Sequence, residues 1–96
     1  MVHMNHPHLS PRLRLSWLTV RERTVLIHLM RGLSVDEIAA AEIVGVCTVR
    51  SQVRCILQKL GVHSQLAAVA MAHRACWPTD AEHEEVLATV IMAVAS

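Results

Sequence analysis

Between Gly45 and Gly61 the chain reads VCTVRSQVRCILQKL, and this stretch holds the residues best suited to chemistry on another molecule. Arg50 and Arg54 stand four apart with Ser51 between them, Thr48 precedes them, and Gln58 and Lys59 follow. Wound as a helix, Val49, Val53, Ile56, Leu57 and Leu60 fall on one apolar stripe. Cys47, Ser51, Arg54, Cys55 and Gln58 collect on the opposite side, with Thr48 and Arg50 on its flanks. That polar face carries cations and short hydrogen-bonding groups and no carboxylate. A face that only keeps a helix in water usually mixes both signs. Guanidinium forks without competing acids suit guanine edges and phosphate oxygens instead. A nucleic-acid contact is therefore expected here.

Other chemistries find less support. No nucleophile–base set, carboxylate pair or metal-ligand spacing falls on an ordered element, so neither an enzyme nor a cofactor is expected. His3, His6 and His8 are close enough in sequence to hold a metal, but they lie in a stretch with no element to fix ligand geometry, and no metal site is assigned. His28, His63 and His73 are scattered and read as packing or surface residues. Cys47 and Cys55, eight apart on one helix, would be separated by ~12 Å, against the ~7 Å between Cα atoms that a disulfide tolerates. Each remains open to modification, to pairing across subunits, or to having no redox role.

The elements that must position the 46–60 helix are legible from their punctuation. Thr19 and Glu22 form a Thr-x-x-Glu capping box; Val25, Leu26, Leu29 and Met30 follow at helical spacing, and Gly32 supplies a stop. Trp17 and Leu18, just outside, are expected to pack on the core. Ser34 and Glu37 repeat the box, with Ile38, Ala39 and Ala41 facing inward. Glu42 falls on the same face as Ile38, where a carboxylate is costly unless paired. Either the helix ends there and Ile43 takes the core position, or Glu42 finds a basic partner. Gly45 then begins the 46–60 helix after a very short link, an arrangement suited to two helices crossing steeply.

Ser64 caps a further helix expected to run to about Trp77, stopped by Pro78. Leu66, Val69, Ala70, His73 and Trp77 share one face, while Ala68, Met71, Ala72 and Ala75 make a reverse face nearly as apolar. A helix apolar all round needs cover on both sides, one from the core and the other from a twin helix or the tail. Thr79 and Glu82 form a third box opening a C-terminal helix, with His83, Val86, Leu87, Val90, Ile91 and Val94 on its apolar face.

The whole is expected to be all-α, in three parts. Residues 1–14 form a disordered arm whose Arg12 and Arg14 could touch phosphate, residues 15–77 form the domain, and residues 78–96 form an acidic and apolar C-terminal helix. The chain has 96 residues, 53% of them apolar and 18% charged, with no Phe or Tyr, enough for one modest core. Net charge is only +1, but it is unevenly spread. Residues 1–78 hold all nine Lys and Arg against Glu22, Asp36, Glu37 and Glu42, while residues 79–96 hold Asp80, Glu82, Glu84 and Glu85. A basic body with an acidic tail fits a nucleic-acid binder. The start lacks the apolar run of a signal peptide. The longest apolar run, residues 86–95, would span ~15 Å as a helix against a bilayer core of ~30 Å, so no membrane span is expected. Three irregularly spaced cysteines suggest a reducing compartment, the cytoplasm.

Residues 18–72 also resemble a known family, the LuxR-type (GerE-like) helix-turn-helix DNA-binding domain. The residues that carry the resemblance are LTVRE followed by VL, the Gly-Leu-Ser before DEIA, the TVR that begins eleven residues after Glu37, and KLGV followed by Ser64 and Ala68-Val69. The resemblance implies a four-helix domain, here with an extra C-terminal amphipathic helix, whose 46–60 helix enters the major groove. By position, Arg50, Ser51 and Arg54 would face the bases. Thr48 and Lys59 match phosphate-contacting positions, with Gln58 grouped beside them. Dimerisation is implied through the helix that follows, with Leu66, Val69, Ala70, Met71, His73 and Trp77 as its residues. The implied function is that of a stand-alone, cytoplasmic transcription regulator that binds double-stranded DNA in sequence-specific fashion as a homodimer.

The chain departs from the family pattern at Glu42 (usually Leu), Gly45 (usually Ser), Gln52 (usually His) and Gln65 (usually Arg). Gln52 and Gln65 remove two cations from the neighbourhood of the phosphates. Those departures keep an alternative open: a protein-interaction module of the same fold, with a protein partner and reduced or lost DNA binding.

Overall fold

The computed structural model describes residues 9–79 and Ile91. The described residues are helical or irregular throughout, with five helices: α1 Pro11–Ser16, α2 Val20–Met30, α3 Val35–Glu42, α4 Val46–Leu60 and α5 Gln65–Arg74. The all-α expectation holds. The third capping box and the rest of the expected C-terminal helix lie outside the described residues, apart from Thr79 and a helical, exposed Ile91. His3, His6 and His8 lie outside them too.

The two central capping boxes form as expected. The Thr19 N–H donates to Glu22 Oε1 at 2.8 Å, and the Glu22 N–H donates to Thr19 Oγ1 at 3.1 Å. Ser34 and Glu37 repeat those two bonds at the same distances. Each box satisfies two of the backbone donors that a helix start leaves over. Ser64 caps α5 by accepting from the Ala67 N–H at 3.1 Å. At the end of α4, Gly61 takes the left-handed conformation (φ 70°), which lets the Val62 N–H return to the Leu57 carbonyl.

α4 lies at the centre and packs against each of the other four helices. Its Val49, Val53, Ile56 and Leu60 are buried with Leu15 of α1, Leu18, Val25 and Leu26 of the α2 region, and Ile38 of α3. Each such side chain contributes about 1.5–3 kcal/mol of transfer free energy, far more than helix propensity supplies to a single residue. The apolar stripe of α4 therefore decides which way its polar face points.

Three expectations need correction. Residues 11–14 of the expected arm belong instead to α1, while residues 1–8 lie outside the described residues: Ser10 caps the helix by accepting from the Leu13 N–H at 3.1 Å, Pro11 stands in its first turn, and Leu15 is fully buried. Proline at a helix start lacks only an N–H that would have gone unused, so Ser-Pro was a start signal inside the presumed arm. The helix expected to reach Trp77 ends at Arg74; Cys76 takes φ 53°, the Trp77–Pro78 peptide is cis, and Trp77 turns into the core at 4% exposure. Trp77 is thus a core residue and not a dimerisation residue. Third, Ala41 of α3 is exposed and not inward-facing; on α5, where either face was open to the core, Ala68 and Ala72 are the residues buried. With both faces of α5 apolar, periodicity had no means of choosing. Small residues let the helix backbone approach its neighbours closely, and that choice leaves Leu66 outside, 78% exposed.

Candidate nucleic-acid interface

α3 and α4 are joined by Ile43, Val44 and Gly45. The link is built on a left-handed Ile43 (φ 55°), from which the Val44 N–H reaches back to the Ala39 carbonyl at 3.0 Å. Of the two alternatives for this corner, each is met in part. α3 does end at Glu42, but Ile43 is 90% exposed and does not enter the core. Glu42 instead has a basic partner: its Oε2 lies 2.9 Å from His28 Nε2, an ion pair whenever the imidazole is protonated. Nothing local in the sequence joins these two residues, which meet only because α2 and α3 pack together.

Beyond the corner, α4 presents Cys47, Thr48, Arg50, Ser51, Arg54, Cys55 and Gln58 to solvent, every one exposed. No acidic residue interrupts that face. Among the described residues, neither arginine is held by a hydrogen bond or an ion pair. Arg50 and Arg54 line an open groove of about 360 Å³ together with Val35, Val53, Leu57 and Gln65. Gly45 caps α4 without a side-chain hydrogen bond. Cys47, Cys55 and Cys76 are free thiols.

Two basic residues stand elsewhere than expected. The Lys59 amine turns away from the open face and donates to Glu22 Oε1 at 2.6 Å. Arg14 is 5% exposed, and its Nη1 donates to the Lys59 carbonyl at 3.4 Å while the guanidinium lies over the Trp17 ring, 5.9 Å from its centroid. Its burial removes Arg14 from the phosphate-touching arm. Trp17 itself remains half-exposed, whereas Leu18 enters the core. Burial pushes the Glu22 carboxyl up, but the Lys59 hydrogen bond, the Thr19 backbone N–H and the Lys59 charge together hold it below the ordinary glutamate value. Glu37 is also held low, by the Ser34 backbone N–H and then its hydroxyl.

The described residues contain no group of three or more His, Cys, Asp or Glu placed to hold a metal, and none of their helices is long and apolar enough to cross a membrane. The sequence matches the GerE family, bacterial regulatory proteins of the luxR family, over residues 16–72. The chain belongs to the luxR family. The match spans α2 to nearly the end of α5, and it includes the whole of the corner and α4. Domains of this luxR-type class bind DNA and serve transcription regulation, so the chain is a regulator of the DNA-binding kind. No solved structure matches the luxR-family chain.

Proposed function

We propose that this protein is a sequence-specific transcription regulator that binds double-stranded DNA as a dimer, with α4 in the major groove. The carrying observation is that Arg50, Ser51 and Arg54 project together from an acid-free, solvent-open face, on a helix fixed from behind by four others. In this reading the arginine forks and the Ser51 hydroxyl read base edges, and Thr48 and Gln58 hold the backbone. Dimerisation falls to the outward side of α5, where the exposed Leu66 and His73 accompany the half-buried Val69, Ala70 and Met71.

Selection of duplexes from a random pool, followed by titration of the selected site, tests the reading. Arg54→Ala is expected to cost roughly 1–3 kcal/mol and to relax preference at one base pair. Thr48→Ala should weaken all sequences alike. Leu66→Glu should leave a monomer in sedimentation and weaken binding to a two-half-site duplex more than to a single half-site. Failure of any duplex to enrich, alongside a stable complex with another protein, would favour an interaction module of the same fold.

A further inference from the structure

The C-terminal end of α4 is fastened by charged groups that are engaged within the protein, although the Lys59 side chain keeps 35% of its surface exposed. Lys59 Nζ lies 2.6 Å from Glu22 Oε1, and the carboxylate side chain is only 9% exposed. The same Glu22 oxygen accepts from the Thr19 N–H, so one carboxylate both starts α2 and holds the last turn of α4. From the other side Arg14 donates to the Lys59 carbonyl, one of the acceptors that a helix end leaves without an intrahelical partner. A guanidinium there also faces the negative end of the α4 dipole.

We infer that Lys59 and Arg14 are positioning residues for duplex recognition and not phosphate contacts: with Glu22 they set the pose of α4 from its C-terminal end, and hence where Arg50, Ser51 and Arg54 reach. The inference rests on the DNA-binding reading above and deepens it. Turning the Lys59 amine to a phosphate would leave a buried carboxylate without its counter-charge. The lever is long enough to matter. Nine residues separate Arg50 from Lys59, ~14 Å along the axis, so a tilt of about 5° at the fastened end moves Arg50 by roughly 1 Å. That is enough to spoil a bidentate hydrogen bond, whose useful donor–acceptor range spans only about 0.5 Å. α1, which supplies Arg14, lies almost wholly ahead of the residues matched to the family.

The two roles of Lys59 predict opposite signs for one substitution. Glu22→Gln still accepts the Thr19 N–H but loses the charge that holds the amine. If Lys59 positions α4, Glu22→Gln weakens binding of the selected duplex by about tenfold, within the range of one lost bidentate contact. If Lys59 binds phosphate, the same change frees the amine and strengthens binding. Lys59→Met supplies a second readout. A positioning role lowers affinity while leaving the slope of log K against log salt at the wild-type value, whereas a phosphate contact lowers that slope by about 0.9. Arg14→Leu should match Lys59→Met, with part of the loss recovered by Arg14→Lys, and all titrations are run well below each variant's melting temperature.

Stronger binding by Glu22→Gln, a reduced slope for Lys59→Met, or wild-type affinity in Arg14→Leu would overturn the inference. Should the wild-type chain enrich no duplex at all, the DNA-binding reading falls and takes this inference with it.

Discussion

Ile43 combines two costs in one side chain: a β-branched residue in the left-handed region, and an isoleucine left 90% exposed. For an L-residue that conformation costs roughly 1–2 kcal/mol, and glycine escapes most of it. Ile43→Gly should therefore raise the free energy of unfolding by about 1 kcal/mol, measurable in urea as a higher midpoint at unchanged slope. The neighbouring residue illustrates the opposite situation. Glu42 stands in an otherwise apolar face, and His28 lies beside it at 2.9 Å. His28→Ala removes that partner from a carboxylate whose side chain is 21% exposed. It should destabilise the fold by about 1.5–3 kcal/mol, the range for a hydrogen bond to a charged group. Thermal unfolding of His28→Ala and of the His28→Ala/Glu42→Leu pair checks it, since the second change removes the stranded charge and should recover part of the loss.

At the scale of the element, α4 is well specified except at its start. Gly45 has an ordinary extended conformation (φ −72°), and a Cβ placed there would meet only Thr48 Oγ1, at 4.0 Å. Glycine is thus not required at this cap. Gly45→Ser should add a hydrogen bond to the first turn, for a gain of about 0.3–0.5 kcal/mol. In a domain of this size that corresponds to roughly 1–4 °C in melting temperature, readable by calorimetry. α5 shows where element-level reasoning lacks a criterion. Its sequence is apolar on both sides, so the hydrophobic pattern admitted either face. Close packing selected Ala68 and Ala72, and the larger Leu66 stayed outside.

At the scale of the molecule, a chain of contacts through Glu22 and Lys59 joins three elements. Glu22 caps α2 and pairs with Lys59 of α4, whose carbonyl in turn accepts from Arg14 of α1. Its folded-state pKa lies below the ordinary glutamate value. The stability it contributes is therefore fully present above that ordinary value, and it is lost as pH falls through the lowered one. Unfolding free energy of the wild type should drop across that acidic window. Glu22→Gln should start lower at pH 7 and show a shallower acid limb, with the remaining slope owed partly to Glu37. Parallel denaturant titrations between pH 3 and pH 7 decide it, because equal acid limbs would show that Glu22 is not the linked group.

Sequence alone determined the parts governed by neighbours a few residues apart. The capping boxes at Thr19 and Ser34, the bounds of α4 at Val46 and Leu60, and the acid-free face carrying Arg50, Ser51 and Arg54 all follow from spacings within one or two helical turns. Only tertiary packing decided the rest. It paired His28 with Glu42 across 14 positions and Lys59 with Glu22 across 37, and it brought Arg14 to a carbonyl 45 residues away. It also drew Trp77 into the core, although the dimerisation that the resemblance implied had set it outside. The physical reason is the same in each case: a charge or a large side chain takes its place from whatever the folded chain brings beside it, and helical periodicity records only what lies on the same helix.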